Sequence, residues 1–177
     1  STAQIVAMTT TQAALLTTQQ SSALGTSQIA VLETADAAVL TTASIDAWTT
    51  AQIAGLSTAA VAALSTEQVV LGLGSDITGL NTAQVAALSV SAVGALTTQQ
   101  LSAGLGTDSA GLRTDQLAAL GTAALRSLGT IQIQVLSTDQ LLALSTAQIS
   151  AFSTAQLVAL GTNQVRVLET SDLLALT

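Results

Sequence analysis

Residues 136–177 read LSTDQLLA-LSTAQISA-FSTAQLVA-LGTNQVRV-LETSDLLA-LT, which is five octapeptides in tandem followed by the start of another. The consensus is L-x-T-x-Q-[ILV]-x-A, and its positions are numbered one to eight from the leucine. Position one is filled here by Leu136, Leu144, Phe152, Leu160 and Leu168. Internal repetition at a fixed short period is typical of solenoids, so this stretch predicts the fold class of the chain.

The same frame runs back to the first residue. Position three is almost always Thr, position six is mostly Ile, Val or Leu, and position eight is mostly small, usually Ala. No linker and no change of composition interrupts the pattern. We therefore expect residues 1–177 to form one continuous octapeptide-repeat domain of about 22 repeats.

Two segments depart from the eight-residue spacing in the same way. Leu73 follows Leu64 after nine residues and Leu80 follows after a further seven, and the same spacing begins again at Leu96. Position five also alternates between Gln and another residue over 52–132. Both observations predict that the octapeptides pair into 16-residue coils with two unlike sides.

The octapeptide carries the signals of a helix N-terminus. Ser145 and Gln148 have the spacing of a capping box, and Leu144 with Ile149 has the spacing of a hydrophobic staple. The resulting helix would cover positions three to eight, too short to persist without stacking on its neighbours. The pattern therefore predicts an all-α repeat solenoid of very short helices.

A two-sided β-solenoid is the alternative, because the Thr column and the β-branched position six suit strands. Abundant Ala at positions four, seven and eight disfavours strands. The helical model has one imperfect fit, since Glu33, Arg113 and Glu169 stand at position two and cannot cap in the usual way. In those copies either the Thr at position three is the N-cap or its hydroxyl bonds to another repeat.

The most regular stretch identifies the residues expected to carry the architecture. At position one, Trp48 and Met8 replace leucine as large core residues elsewhere in the chain, as Phe152 does here. We expect the threonines to make internal hydrogen bonds, although an outward-facing column would suit an ice- or glycan-binding surface. The structural set is Leu136, Leu144, Phe152, Leu160, Leu168, Thr138, Thr146, Thr154, Gln140, Gln148 and Gln156.

Composition argues against several classes of partner. The chain has three basic residues and ten acidic ones, for a formal net charge of −7. Phosphate neutralisation needs a basic face, so we expect no nucleic-acid partner. Polar residues interrupt every apolar run, so we expect no membrane span. A mean hydropathy of +0.63 predicts a folded chain rather than a disordered one.

Composition also argues against catalysis. The chain contains no His, Cys, Lys or Tyr, which removes most general bases and the nucleophiles that they activate. We expect no catalytic residue, no cofactor and no enzyme activity.

The two irregular segments are the best candidates for a ligand site. GLGSDITGL begins at Gly72 and GLGTDSAGL at Gly104, and both are similar to the calcium-binding nonapeptide of RTX proteins. Asp76 and Asp108 are the candidate calcium ligands, provided that two coils separate them and they share a face. The favoured interpretation is a glycine bulge that absorbs the irregular spacing.

Tandem L-x-T-x-Q-[ILV]-x-A octapeptides resemble the LTTAQ-type arrays of very large secreted or surface proteins of bacteria, and the resemblance covers the whole chain. It implies an exported structural or adhesive role outside the cell or on its surface, without enzyme activity.

The ends of the sequence lack the atypical polar repeats that cap solenoids. We expect a structural protein whose copies stack head to tail into an extracellular filament, because such contacts do not close on themselves. Two alternatives stay open. The chain is an excised segment of a giant repeat adhesin, or it is a Thr-lined module that binds ice or glycan.

Overall fold

The computed structural model describes residues 1–176, and every regular element among them is helical. Residues 1–176 contain 22 helical segments of four to six residues. The α-helices are α1 (Thr2–Val6), α2 (Thr10–Ala14), α3 (Thr18–Ser22), α4 (Thr26–Ile29), α5 (Thr34–Val39), α6 (Thr42–Asp46), α7 (Thr50–Ala54), α8 (Thr58–Ala63), α9 (Thr82–Ala87), α10 (Val90–Gly94), α11 (Thr114–Ala118), α12 (Thr122–Ser127), α13 (Thr130–Gln134), α14 (Thr138–Leu142), α15 (Thr146–Ser150), α16 (Thr154–Ala159), α17 (Thr162–Arg166) and α18 (Thr170–Ala175). Two π-helices (Gln68–Leu73 and Gln100–Gly104) and two 3-10 helices (Gly74–Gly79 and Gly106–Gly111) complete the set. The predicted solenoid of short helices is confirmed, and the β-solenoid is wrong for the described residues.

Each α-helix begins at position three because position two supplies the N-cap. In α15, the Gln148 N–H donates to the Ser145 hydroxyl at 3.3 Å, and the Ser145 N–H donates to Gln148 Oε1 at 2.8 Å. Leu144 and Ile149 are buried on either side of this capping box. A hydroxyl cap of this kind stabilises a helix by about 1 kcal/mol.

Copies without a capping side chain keep the same backbone. Glu33, Arg113 and Glu169 are the N-caps of α5, α11 and α18, with extended dihedral angles and no side-chain cap hydrogen bond. The idea that position three becomes the N-cap in these copies is therefore wrong.

Three octapeptides make one coil of the solenoid. Each segment packs against the third segment along the chain, as α5 does against α2 and α8. Equivalent residues of stacked helices are three octapeptides apart in sequence, for example Thr34 in α5 and Thr58 in α8. The predicted 16-residue, two-sided coil is wrong, and the solenoid has three sides.

The corners of the coil are made by positions one and two. Leu40 ends α5 with a ψ of 142°, and the next residue, Thr41, has a ψ of 152°. Two successive extended residues redirect the chain before the next helix begins, and three such corners bring it back above its starting side.

The core is a continuous apolar column inside the three sides. Position one and position six fill it, and in the middle of the array both are buried in nearly every copy. Trp48 is 2% exposed and its indole N–H donates to the Ser21 carbonyl at 3.1 Å, while Met8 lies half-buried against the column. The large substitutes for leucine therefore belong to the core, as predicted.

The irregular spacing is absorbed by a change of helix type. A π-helix accommodates one extra residue per turn, as the bond from the Leu105 N–H to the Gln100 carbonyl (3.0 Å) illustrates, and the 3-10 helix that follows is more tightly wound. Gly74 and Gly106 lie at the transitions with φ angles of 51° and 49°, where a β-carbon would be strained. The glycine-bulge interpretation is confirmed.

None of the helices within residues 1–176 has the length and apolar character needed to cross a membrane.

Candidate functional site

Glutamine side chains at position five join each coil to the coil beneath it. Gln116, in the first turn of α11, is fully buried. Its Oε1 accepts from the Arg113 N–H at 2.7 Å, which completes half of a capping box. Its Nε2 donates to the Leu88 carbonyl at 2.6 Å and to the Val85 carbonyl at 3.2 Å, both at the corner between α9 and α10 in the coil beneath. One amide group thus completes the cap of its own helix and donates hydrogen bonds to carbonyls at the corner of the coil beneath.

The corner carbonyls need such a donor for a general reason. The last carbonyls of a helix have no partner within that helix, and a buried carbonyl without a hydrogen bond costs about 1–3 kcal/mol. Side-chain amides that bond to these carbonyls are named inter-coil glutamines. They are Gln52, Gln68, Gln84, Gln100, Gln116, Gln132, Gln140, Gln148, Gln156 and Gln164.

The inter-coil glutamines are distributed evenly over the three sides. Over 52–132 they occupy every second octapeptide, while a coil contains three octapeptides. Because the glutamines recur every two octapeptides and the coil repeats every three, successive glutamines fall on different sides of the solenoid. Each side therefore receives an inter-coil glutamine in alternate coils. The alternation of Gln with other residues at position five therefore reflects one inter-coil glutamine per side in alternate coils, and not a coil with two unlike sides.

Other side chains, Trp48 among them, also donate to carbonyls at the corners of the coil beneath. The Ser44 hydroxyl donates to the Leu16 carbonyl at 2.9 Å. The Arg113 guanidinium donates to the Ala86 carbonyl and forms an ion pair with Asp115 at 3.1 Å. Hydrogen bonds from Arg113 hold the pKa of the exposed Asp115 carboxyl below its ordinary value. Side chains at position five, and Arg113 at position two, therefore make hydrogen bonds that join neighbouring coils.

Asp36 and Asp172 stand at position five of regular octapeptides and behave differently. The Oδ2 atom of Asp172 accepts from the Glu169 N–H at 3.1 Å, as a glutamine would. Asp36 is 2% exposed, and its Oδ2 has no hydrogen-bond partner among the described residues. Burial raises the pKa of the Asp36 carboxyl, and the neighbouring Glu33 carboxylate raises it further.

The residues that the sequence singled out lie in three places. Leu136, Leu144 and Phe152 are buried in the core, while Leu160 and Leu168 are half-buried near the end of the described chain. The glutamines of the set, Gln140, Gln148 and Gln156, are all buried inter-coil glutamines.

The threonines of the set lie on the outside. Thr138 and Thr146 are half-buried and Thr154 is exposed, and their hydroxyls make no hydrogen bond within the described residues. The internal hydrogen bonding expected of them is wrong, because position three is the first helical residue and the cap at position two already serves the backbone. Thr82 differs, since its hydroxyl donates to the Asp108 carboxylate at 2.6 Å.

The calcium candidates are not brought together. Asp76 lies in the 3-10 helix that packs against α7, and Asp108 lies in the 3-10 helix that packs against α9. These are different sides of the solenoid, because the two aspartates are separated by four octapeptides, which is one coil and a third rather than two coils. No group of three or more acidic side chains suited to holding a metal ion was found within residues 1–176. The shared face that the calcium hypothesis required is absent there.

The inter-coil bond itself was not predicted from the sequence, although a signal for it exists. A capping box accepts Glu or Gln at its third helical position. Position five of this chain never holds Glu. A preference for the amide over the carboxylate indicates that a donor is needed as well as an acceptor.

The fold and these bonds define a class of protein, the helical solenoids built from tandem short repeats. The model of the ALTTAQ repeat family matches residues 29–66, 110–146 and 141–170, together more than half of the chain. The chain therefore belongs to the ALTTAQ repeat family. The stretch between the first two matches contains both π-helices and the first 3-10 helix, and the second 3-10 helix (Gly106–Gly111) ends just inside the second match. No curated protein and no solved structure matched the chain.

Proposed function

We propose that this chain is a non-enzymatic structural protein of the extracellular space or cell surface, and that its copies stack end to end into a filament. The observation that carries the proposal is the inter-coil glutamine, whose bond has one direction. The donor always lies in the later coil and the acceptor in the earlier coil. A stack joined in this way can be extended at either end by another coil of the same kind.

The first coil presents unused donors. Gln4, Gln12 and Gln20 are exposed, and their Oε1 atoms accept from the N–H groups of their own N-caps. Their Nε2 groups donate to no carbonyl within the described residues. Beside them lies an open cleft lined by apolar side chains that include Met8 and Leu16.

The last coil presents matching acceptors. Eight of the ten inter-coil glutamines donate to a position-one carbonyl 28 residues earlier, as in the bond from Gln164 to Leu136. Gln100 and Gln132 donate instead to carbonyls in or next to the π-helices. Continuing this register assigns the carbonyls of Phe152, Leu160 and Leu168 to donors of a further coil. Those three carbonyls accept no side-chain hydrogen bond within residues 1–176. A second copy that brings its first coil to this end therefore supplies donors of the right type.

The location outside the cell rests on the resemblance to arrays of large secreted and surface proteins. Immunogold labelling of intact and permeabilised cells tests it. Labelling that requires permeabilisation would contradict an extracellular location.

Assembly is tested by light scattering and electron microscopy of the purified 177-residue chain. We expect filaments, and we expect replacement of Gln4, Gln12 and Gln20 by Glu to abolish them, because carboxylates cannot donate to carbonyls and repel one another. The matched control replaces three other exposed glutamines, Gln19, Gln99 and Gln134, by Glu, which adds the same charge outside the inter-coil position.

A stable wild-type monomer would contradict assembly between copies. It would support the alternative, in which the adjoining coils belong to the same polypeptide of a giant repeat adhesin.

A Thr-lined binding surface is a second candidate, and the exposure of the position-three threonines favours it. Thermal hysteresis and glycan-array binding test the two ligands, with Thr130 and Thr154 on the stacked helices α13 and α16 replaced by Ala as the loss-of-function variant. Absence of both activities in the wild-type chain would contradict it.

A further inference from the structure

Asp36 is a buried carboxyl group that the capping pattern does not use. It stands at position five, in the first turn of α5, where most copies carry Gln. The Glu33 N–H, which would donate to a glutamine Oε1 in a capping box, makes no bond to it. Its Oδ2 is both buried and without a hydrogen-bond partner among residues 1–176. A buried polar atom of this kind costs free energy unless something satisfies it.

The register of the coils identifies the group that faces Asp36. One octapeptide later, Ser44 donates to the Leu16 carbonyl, 28 residues earlier. Two octapeptides later, Gln52 donates to the Leu24 carbonyl, again 28 residues earlier. The same register places the Met8 carbonyl beneath Asp36, and that carbonyl accepts no hydrogen bond from the rest of the described chain.

The charge state of Asp36 decides whether the two groups attract or repel. A carboxylate is only an acceptor and meets another acceptor here, whereas a carboxylic acid has an O–H donor. The helices that pack against α5, namely α2 and α8, contain no charged residue, and Glu33 on its own helix is negative. No cation among these elements stabilises the ionised form.

We propose that the protonated Asp36 side chain donates its O–H to the Met8 carbonyl, and that ionisation of this side chain loosens the first coil. The junction between the first two coils is thus a pH-sensitive joint, whereas the glutamine junctions are insensitive to pH. This inference does not depend on filament formation.

The direction of the pH dependence follows from linkage. The raised pKa of Asp36 means that the folded state binds this proton more tightly than the unfolded state does. Its contribution to stability is therefore fully present below the ordinary value of 3.8 and is lost as the pH rises through the folded-state pKa.

The test compares unfolding midpoints of the wild type and Asp36→Asn across this pH range. Asparagine keeps a donor at every pH, so we expect the midpoint of the variant to rise relative to wild type as the pH increases. Asp172→Asn is the matched control, because Asp172 occupies the same position and its Oδ2 accepts from a backbone N–H. We expect the control to follow the wild type through the window in which Asp36 ionises.

Parallel midpoints for the wild type and Asp36→Asn would overturn the proposal. A direct measurement avoids any failure of the variant to fold. The carboxyl carbon of Asp36, followed by NMR in the wild-type chain, is expected to titrate above 3.8, and titration at or below that value would overturn the proposal as well.

Discussion

Glutamine suits the corners of this solenoid because one amide both accepts and donates. Serine at position five reaches the corner carbonyl but lacks the amide oxygen that accepts from the N-cap N–H, and glutamate would cap without donating. The buried amide of Gln116 satisfies one N–H and two carbonyls at once. Removing it leaves the Arg113 N–H without a partner and takes the shortest donor, at 2.6 Å, away from the Leu88 carbonyl.

Gln116→Ala is expected to lower the free energy of unfolding by roughly 2–4 kcal/mol, because the Arg113 N–H loses its acceptor and the Val85 and Leu88 carbonyls lose the amide donor. Urea denaturation measures the change. Gln12→Ala is the matched control, since Gln12 takes part in a capping box but is exposed and makes no inter-coil bond. Its expected cost is about 1 kcal/mol. Equal losses in the two variants would show that the inter-coil bond contributes nothing.

At the scale of the helix, the sequence features that start each helix do not depend on how the helices stack into coils. The capping box and the staple lie within one octapeptide, which is why the sequence predicted the helices and their start at position three. The coil length depends on the extended corner residues, such as Leu40 and Thr41, and on contacts between helices that are three octapeptides apart. The corner geometry and the contacts between helices cannot be read from a single octapeptide. The alternation of residues at position five pointed instead to a coil of two octapeptides.

The candidate site was predictable only in part for the same reason. The glutamine column was identified by its regularity, and its capping role by its spacing from position two. Its donor role involves carbonyls from another coil, such as Leu88 beneath Gln116, and could be inferred only once the stacking was known.

Gly74→Ala tests the transition from π-helix to 3-10 helix. The added β-carbon meets nothing closer than the Asp46 carboxylate at 3.8 Å, so the cost comes from the positive φ and is expected to be about 1–2 kcal/mol. Gly94→Ala is the control, because Gly94 is an exposed helical residue without a positive φ. Helix propensity predicts a neutral or stabilising change of up to about 1 kcal/mol there. Loss of stability in the control alone would contradict this account.

At the scale of the whole molecule, the three-sided coil predicts which residues are neighbours. The chain has no cysteine, so pairs of introduced cysteines can carry spin labels without background. Ala59 and Ala83 are exposed on the stacked helices α8 and α9, whereas Ala43 and Ala59 lie on different sides.

We expect the spin-label distance between positions 59 and 83 to be the shorter of the two, because α8 and α9 pack directly against each other and the axes of packed helices lie about 8–10 Å apart. Positions 43 and 59 are separated by two octapeptides and would be the closer pair in a two-sided coil. Double electron–electron resonance on the two double-cysteine variants distinguishes a coil of three octapeptides from a coil of two.

The one-way bonds of the inter-coil glutamines also determine how the molecule responds to tension. A load applied between the two ends crosses every coil interface in series, so the weakest interface ruptures first while the remaining interfaces stay intact. Each rupture releases one coil of three octapeptides, about 80 Å of extended chain. Pulling on a single molecule should therefore give a sawtooth of small, evenly spaced extensions, and a tethered array of such coils would lengthen in steps without detaching.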